Sequence, residues 1–536
     1  MRKQFLTVFF ILTGCIISNA QTLVEGLKAI DFEKYEQARN IFKELVSKEP
    51  KKGDYNYYLG QTYVYLMQTD SAIQAYHSGI TAEANNPKNY IGLGEILMNE
   101  NKIAEAKVQF TKALSFSKDR EGNSSDALAL AMVAEAMVDG ETKLLDEALS
   151  YVKQALEINK RSYEILTIAG DVYLEMNNGG EAANNYERAI KLDSNNAKAY
   201  TKVSNIWLRV RNGEAAYDAL VKALAKDSNY ALALRNMAEL YFQSRKYEKA
   251  KEYYARYLSN SEPSISNKIR FAQILFKTKE YDEVLSKIEE IFKADQNNIY
   301  LFRLGGYSCY EVAEAKKDTS RYRIGIDYME SFFKKVEPKK ILLSDYEYYG
   351  KLLSKVNGRE EDGILNFNKV LNLDSSKIEM YNEIAKTYNK QRKYGDAATN
   401  FEIYINKKNK PNAIDYSLLG RAFYNSKQFG KSDTAYMKLI ELRPDYADSY
   451  YQRGNCNAFL DVDGQYTVAK EQYEKYLLLT EPTPDKYKKQ ILDAYDYLAK
   501  YYIKKDDNAK AKEYLNKTLA LDPENKTAKE YLKQLK

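Results

Sequence analysis

Residues 169–192, AGDVYLEMNNGGEAANNYERAIKL, decide the fold of this chain. The stretch has two segments with apolar residues at spacings of three and four, the pattern of one apolar stripe on a helix. An Asn-Gly-Gly sequence at 178–180 separates the segments and favours a turn. Gly170 and Ala182 let the two helices approach closely, and Tyr186 is large enough to fill the adjacent space. The stretch therefore predicts a helical hairpin.

The same hairpin pattern recurs along the chain with a period of 34 residues. The residue that begins the second-helix stripe, usually alanine, recurs in two unbroken runs, at Ala38, Ala72 and Ala106 and at Ala148, Ala182, Ala216, Ala250 and Val284. A large apolar or aromatic residue follows four positions after each of them. The first-helix pattern also recurs, as LGQTY at 59–63, AGDVY at 169–173 and LGRAF at 419–423. A fixed period of this length indicates stacked copies of one supersecondary unit.

On these residues the sequence resembles the tetratricopeptide repeat family, over essentially residues 21–525. The resemblance implies an all-α superhelical solenoid of about fourteen stacked helix-turn-helix repeats. Four insertions depart from the period, at 119–126, 313–322, 461–467 and 481–487. Residues 526–536 are interpreted as a polar capping helix, which the open end of a solenoid needs for solubility.

Residues 1–20 are interpreted as an export signal and not as part of the fold. A short basic segment precedes the apolar stretch Phe5–Ile17, which is too short to span a bilayer. The sequence around Cys15 is similar to a lipobox, which would anchor the chain through that cysteine, whereas the sequence ending at Ala20 resembles a signal-peptidase site. Because the apolar stretch continues past Cys15, we favour cleavage after Ala20, with the lipid anchor as the alternative. Either signal predicts a location in the periplasm or at the periplasmic face of the outer membrane.

Composition excludes several classes of function. The formal net charge of +6 becomes +4 without residues 1–20, which is nearly neutral for such a long chain and argues against nucleic-acid binding. No second apolar stretch approaches 18 residues, so we expect no transmembrane segment in the mature chain. The chain has a single histidine, His77, which we expect at the surface. Histidine-dependent catalysis and histidine-rich metal sites are therefore disfavoured.

The remaining candidates for chemistry are weak. Asp461-Val462-Asp463-Gly464 hints at a calcium loop, but acidic residues are missing where such a loop needs them, and a surface turn is the simpler interpretation. Cys309 lies at a packing position and Cys456 beside one, four repeats apart, which predicts two buried free thiols. Phosphate-binding loops, dinucleotide fingerprints and nucleophile elbows are absent from the sequence. We therefore expect no catalytic activity, no cofactor and no metal.

One stripe of each first helix is left over from packing, at repeat positions 2, 5, 9, 12 and 13. In the family this stripe lines a concave groove that holds peptides or partner helices. The earlier repeats place acidic residues there, namely Glu95, Glu164, Asp171, Glu175 and Glu239. The later repeats place basic, amide and aromatic residues there, and the candidate partner-binding residues are Arg303, Tyr307, Lys351, Lys355, Asn382, Lys386, Asn389, Lys390, Arg421 and Asn455.

Such a groove suits an acidic or carboxyl-terminal peptide, because cationic groups pair with carboxylates and asparagine bonds peptide groups. The alternative interpretation is that these side chains only solvate an exposed helix face. Some family members hold a terminal carboxylate with a Lys-Asn-Asn-Lys-Arg clamp over three repeats. Asn382 and Lys386 occupy the first two clamp positions in reversed order, and consecutive repeats do not complete the pattern.

The leading functional hypothesis is a non-enzymatic scaffold or adaptor of the cell envelope that holds a peptide or partner protein in the groove, as in an outer-membrane assembly or secretion complex. The chain itself would be soluble or attached to the membrane surface by a lipid. A second hypothesis is a glycan-binding accessory protein that stacks sugars on exposed tyrosines such as Tyr300, Tyr307 and Tyr310. Most of the 49 tyrosines, however, fall at packing positions of the repeat, which favours a core role.

Overall fold

The computed structural model describes residues 22–118, 122, 124–295, 298–461 and 467–535. Throughout these residues the regular secondary structure is helical, so the predicted all-α class is confirmed. The proposed export signal lies outside the described residues, as do most of the 461–467 insertion and part of the 119–126 insertion. Within the described part of the chain, no helix is both long and apolar enough to cross a membrane.

The chain divides into two compact units, residues 1–297 and residues 298–536. The helices of the first unit are α1 (Leu23–Asp31), α2 (Tyr35–Lys48), α3 (Gly53–Tyr65), α4 (Thr69–Ala82), α5 (Pro87–Asn99), α6 (Ile103–Leu114), α7 (Ala127–Val138), α8 (Leu145–Ile158), α9 (Tyr163–Glu175), α10 (Gly179–Leu192), α11 (Ala197–Arg209), α12 (Gly213–Lys226), α13 (Ala231–Gln243), α14 (Tyr247–Asn260), α15 (Ile265–Lys277) and α16 (Tyr281–Phe292).

The second unit continues the same alternation. Its helices are α17 (Ile299–Lys316), α18 (Ser320–Lys335), α19 (Leu343–Lys355), α20 (Glu360–Leu373), α21 (Glu379–Lys390), α22 (Tyr394–Lys407), α23 (Ala413–Asn425), α24 (Phe429–Leu442), α25 (Ala447–Leu460), α26 (Val468–Thr480), α27 (Pro484–Lys504), α28 (Asn508–Leu521) and α29 (Lys526–Gln534), with a short 3-10 turn at Pro338–Lys340. α17 and α18 are longer than every other hairpin helix except α27, which has a kink at Tyr487. α29 buries Ala528 against Ala499 and Leu515.

In several hairpins a glycine of the first helix packs closely on an aromatic ring of the second. In the α9–α10 hairpin, a methyl group added at Gly170 would lie 2.2 Å from the ring of Tyr186, which is fully buried. The same 2.2 Å approach occurs between Gly60 and Tyr76 in the α3–α4 hairpin. A larger residue at either glycine would force the helices apart, since protein interiors leave no room for added atoms. The recurring small and aromatic positions of the sequence therefore specify one helix-to-helix distance.

The turn inside most hairpins recurs with the same period as the helices. A residue with positive φ ends the first helix at Glu33, Met67, Asn101, Asn177, Arg211, Arg245, Lys279, Arg392, Lys427 and Asp506. Within the unbroken runs these residues are 34 apart. One residue in the left-handed region reverses the chain after a helix and lets backbone N–H groups reach the last carbonyls. Gln68, for example, donates its N–H to the carbonyl of Tyr63 across such a turn.

First helices lie on the inner side of each stack. α3, α5, α7 and α9 contact one another in succession, as do α11 with α13 and α17 with α19, in addition to their own hairpin partners. Comparable contacts between successive second helices are absent among the described helices. Helices on the inside of a curved stack lie closer to one another than helices on the outside. The stripes of these first helices that are not used in packing therefore face the inside of the stack.

Candidate partner-binding face

The candidate site is a face of the second unit, defined by the exposed sides of the first helices α17, α19, α21, α23 and α25. All ten residues predicted from the sequence lie on these five helices. They differ in the number of hydrogen bonds and ion pairs that they already form within the protein. The contacts of each residue therefore separate members that support the fold from members that remain open to a partner.

Arg303 and Tyr307 belong to an internal network centred on Asp345. The Arg303 guanidinium donates Nε and Nη2 to the two Asp345 oxygens at 2.7 and 2.9 Å, and the Tyr307 hydroxyl donates to Oδ1 at 2.6 Å. Asp345 has 0% of its surface exposed and also accepts the N–H of Leu342 at 2.7 Å, at the start of α19. Burial, reinforced by the Asp345 charge, raises the pKa of Tyr307 far above its ordinary value. These two residues link α17 to α19.

Lys351 sits on an aromatic floor. The rings of Tyr307 and Tyr348 stack at 4.0 Å, and the Lys351 ammonium lies 5.4 Å from the Tyr348 ring and 5.8 Å from that of Tyr310. Its Nζ donates to Glu347 at 2.6 Å, one helical turn earlier. A cation over aromatic faces with a carboxylate beside it is well satisfied. The Lys351 ammonium is therefore only partly available to bind a ligand.

Lys355 and Lys386 also have acidic neighbours on this face. Lys355 Nζ lies 2.6 Å from Glu314 of α17, and Lys386 Nζ lies 2.8 Å from Glu383 of its own helix. Partial burial opposes ionisation of Glu314, but hydrogen bonds from Lys355 and Tyr322 outweigh it and lower the pKa of this carboxyl. Lys386 contributes to the same effect through its charge. The face thus brings α17, α19 and α21 together.

Lys390 has a structural role at the end of α19. Its Nζ donates to the carbonyl oxygens of Ser354 and Lys355 at 3.1 and 3.2 Å, and it lies 3.1 Å from Glu360. Those two carbonyls belong to the last turn of α19, where helices carry partial negative charge and lack internal donors. Lys390 therefore caps α19 from the neighbouring repeat.

Three of the ten residues keep their side chains open. Asn382 and Asn389 are half-buried on α21, and Arg421 is exposed on α23. Among the described residues, none provides these three side chains with a hydrogen bond or an ion pair. Asn455, by contrast, accepts a hydrogen bond from the Tyr473 hydroxyl at 2.6 Å. The open part of the face is centred on α21 and α23.

The acidic residues of this face were not among those predicted from the sequence. Five of its six cationic residues pair with a carboxylate or share one, and the acids concerned are Glu314, Asp345, Glu347, Glu360 and Glu383. The pairs Glu347–Lys351 and Glu383–Lys386 have helical spacings that the sequence could have revealed. The pairs of Arg303 and Lys355 join residues about forty apart and carry no local signal. The face is therefore nearer to charge balance than its lysines suggest.

Comparison with known protein families gives consistent matches to one kind of repeat. A model described as tetratricopeptide repeat matches residues 87–120, 415–446 and 492–525, and a second, described as TPR repeat, matches 170–204. The chain belongs to the tetratricopeptide repeat family. A third model, described as anaphase-promoting complex, cyclosome, subunit 3, matches residues 208–291.

Three solved structures that are similar to this tetratricopeptide chain each cover part of it. The C-terminal part of a TPR repeat-containing protein from Cytophaga hutchinsonii is 30% identical, with a TM-score of 0.42, over 49% of this chain and 98% of that one. A protein named pilF from Pseudomonas aeruginosa is 20% identical with a TM-score of 0.31, over 40% and 93% of the two chains. MamA is 22% identical with a TM-score of 0.26, over 28% and 89%. No curated protein matches the chain.

Aromatic residues of the tetratricopeptide face give little support to sugar stacking. Of the three tyrosines considered for that role, Tyr300 is 44% exposed, Tyr310 is half-buried and Tyr307 is buried beneath Tyr348. A different exposed ring, Phe459 of α25, was not among the residues predicted from the sequence; it is 56% exposed and stacks on Phe429, with the ring centres 4.5 Å apart. Phe459 adds an apolar edge beside the open part of the face.

The predictions for the cysteines and the histidine are confirmed. Cys309 and Cys456 are free and buried, and burial raises the pKa of their thiols to about 12 and about 11. His77 is exposed on α4. In the described part of the chain, histidine, cysteine, aspartate and glutamate side chains do not cluster in a way that could hold a metal ion. Of the calcium-loop candidate, the part from Val462 to Gly464 lies outside the described residues.

Proposed function

We propose that this chain is a non-enzymatic scaffold that holds an extended segment of a partner protein against the inner face of its second unit. Tetratricopeptide repeats in general support protein interaction and usually lack catalytic activity. The observation that carries the proposal is the open group of Asn382, Asn389 and Arg421, on the first helices of two successive repeats. Polar side chains that make no hydrogen bond within the protein contribute little to the fold and are available to bind a ligand.

The chemistry of this group defines the partner segment. An asparagine side chain offers both a donor and an acceptor, so it can bond the N–H and C=O groups of an extended backbone. The planar guanidinium of Arg421 can take a carboxylate in a bidentate pair. Because the other cations of the face already have acidic neighbours, we place the acidic residue of the partner at Arg421. Phe459 would contact an apolar residue of the same segment.

Photo-crosslinking in intact cells tests this surface directly. A photoreactive amino acid at Asn389 or Asn425, both on first helices, should capture the same partner protein. Lys475 on the second helix α26 provides a matched exposed position and should capture nothing in common with them. Capture of one shared partner from Lys475 but not from Asn389 would place binding on the outer face and contradict the proposal.

Reversal of the charge at Arg421 should weaken capture of that partner by at least about fivefold, since arginine anchors at interfaces commonly contribute more than 1 kcal/mol. Arg421→Glu removes no ion pair among the described residues, so the fold should tolerate it. Reversal at Lys351 is less informative, because it would place two carboxylates one turn apart with Glu347. Lys475→Glu is the control, and Kd values for the captured partner are the measurement. Equal weakening by both variants would argue against a specific role for Arg421.

We also propose that the scaffold works in the cell envelope, on the support of the apolar stretch Phe5–Ile17 and the cleavage sequence ending at Ala20. The mature protein recovered from a periplasmic fraction should have an intact mass that begins at Gln21 and carries no lipid. A lipid-modified chain that begins at Cys15 would contradict release and show anchoring. An uncleaved chain in the cytoplasmic fraction would contradict export itself.

A further inference from the structure

The first hairpin contacts helices that follow it by more than 160 residues within the same unit. Residues 31–36, here called the amino-terminal turn, join α1 to α2. They lie in a recess formed by Lys198 of α11, Tyr230 and Arg235 at α13, Tyr257 of α14 and Glu262 after α14. This contact is separate from the face of the second unit described above.

Two acidic side chains of the turn, those of Asp31 and Glu33, each meet a cation of the recess. Asp31 accepts a hydrogen bond from Lys198 Nζ at 2.7 Å, and Glu33 accepts one from Arg235 Nη1 at 2.6 Å. The hydroxyl of Tyr257 donates to the second oxygen of Glu33. Between these two acids, the ring of Phe32 packs edge-on against Tyr230 with the ring centres 5.7 Å apart. The recess therefore recognises an acid–aromatic–acid sequence side chain by side chain.

The recess also binds the backbone of the turn. α2 begins at Tyr35, and its own N-cap residue, Lys34, provides no side-chain cap. The carboxylate of Glu262 accepts the N–H groups of Glu36 and Gln37 at 2.6 and 3.2 Å, and its own N–H donates to the carbonyl of Glu33 at 3.2 Å. Unpaired N–H groups and partial positive charge at a helix start make a carboxylate the preferred cap. The recess thus fits a turn that begins a helix.

The amino-terminal turn does not satisfy every polar group of the recess. The hydroxyl of Tyr230 is buried and has no hydrogen-bond partner among the described residues. The ion pair of Asp31 with Lys198 is partly exposed to solvent on both sides. α1 has only nine residues, and its most extensive helix contact is with α2. These features point to an occupant that can leave.

We propose that the amino-terminal turn is a displaceable internal ligand, and that the recess binds in its place a helix-initiating turn of a partner protein with an acid–aromatic–acid sequence. The partner's acidic side chains would pair with Lys198 and Arg235, and its aromatic ring would pack against Tyr230. Glu262 would cap the start of its helix. The first unit is then closed by its own first hairpin until a partner with the same chemistry competes for the recess. This site is independent of Arg421, so either proposal can fail without the other.

A labelled peptide with the sequence of residues 29–42 is the probe, since it carries the native turn and the start of α2. The full chain is titrated with this peptide by fluorescence anisotropy, in its natural form and as Asp31→Asn/Glu33→Gln, which loosens the turn and leaves the recess intact. Because removal of an internal competitor raises the available fraction of sites, the loosened chain should bind the probe at least about tenfold more tightly. Asp70→Asn on the equivalent part of α4 is the matched control and should bind like the natural chain.

Changes in the recess complete the test. Arg235→Glu added to the loosened chain should lower probe affinity at least about tenfold, and the milder Tyr257→Phe should lower it less. Circular dichroism establishes whether each variant is folded. If Arg235→Glu does not fold, the probe affinity of Tyr257→Phe is the deciding measurement. Equal, weak binding by the natural and loosened chains would overturn the proposal. Dimerisation of the loosened chain, seen by light scattering, would also overturn it by assigning the recess to a second copy.

Discussion

Replacement of Asp345 by alanine is expected to lower the free energy of unfolding by about 3–5 kcal/mol, because it leaves a largely buried cation without its partner. Asp345 is fully buried and accepts hydrogen bonds from Arg303, Tyr307 and the N–H of Leu342. Alanine removes every one of these acceptors and opens the start of α19 as well. Urea denaturation followed by circular dichroism measures the change.

Asp345→Asn is the matched control for this result, since the amide keeps the volume and one acceptor but loses the charge. Asp345→Asn should lower the free energy of unfolding by roughly half as much as Asp345→Ala does. Hydrogen exchange read by mass spectrometry should place the loss of protection in α17 and α19. Equal stability of the natural protein and Asp345→Ala would show that Arg303 finds another partner, which would contradict the network.

Replacement of Glu95 by glutamine is expected to stabilise the first unit above neutral pH. Glu95 is 8% exposed on the inner side of α5, and burial raises its pKa to about 7, against the opposing hydrogen bond from Gln61 at 2.6 Å. The charges of Asp139 and Glu135 add to the increase. Since the pKa of an unfolded glutamate is about 4.3, ionisation at pH 8 costs the folded protein on the order of 3 kcal/mol.

The sign of the pH dependence follows from the raised pKa. Below about pH 4.3 the carboxyl is protonated in both states and imposes no penalty. Between there and about 7 the folded protein binds more protons than the unfolded chain, so stability falls as pH rises through this window. Glu95→Gln abolishes this dependence, so the variant should exceed the natural protein by about 2–3 kcal/mol at pH 8 and match it near pH 4.5.

Fluorescence of Trp207, the single tryptophan, reports unfolding of the first unit in this experiment. Glu105→Gln on the exposed side of α6 is the control and should change stability little at any pH. A stabilisation of Glu95→Gln that is the same at pH 4.5 and pH 8 would show that packing and not ionisation is responsible.

The sequence predicted the hairpins because their determinants are local. The spacing of Gly170 and Tyr186 follows directly from a helix, a short turn and a second helix, and the structure places the two in contact. Burial of Cys309 and Cys456 followed from the same repeat positions. Wherever one repeat specifies the environment of a residue, the sequence was sufficient.

Contacts between repeats were less accessible to sequence analysis. The pairing of Lys355 with Glu314 depends on how one repeat rotates on the next, which the hydrophobic pattern does not fix. Ten candidate residues therefore looked alike, although only three of them remain open in the structure. The contact of Glu33 with Arg235 depends on the summed rotation over several repeats, so it had no signal at all in the sequence.

The capping of α2 by Glu262 has a consequence for the order of events during synthesis. A solenoid otherwise forms by short-range contacts and can fold as it emerges, but this cap is supplied 226 residues after the N–H that it binds. At about 5–20 residues per second, the ribosome makes that carboxylate roughly 10–45 s after the first hairpin. For that interval the earliest part of the chain has an uncapped helix and no neighbour for its acidic turn, and it is the part most accessible to chaperones and proteases.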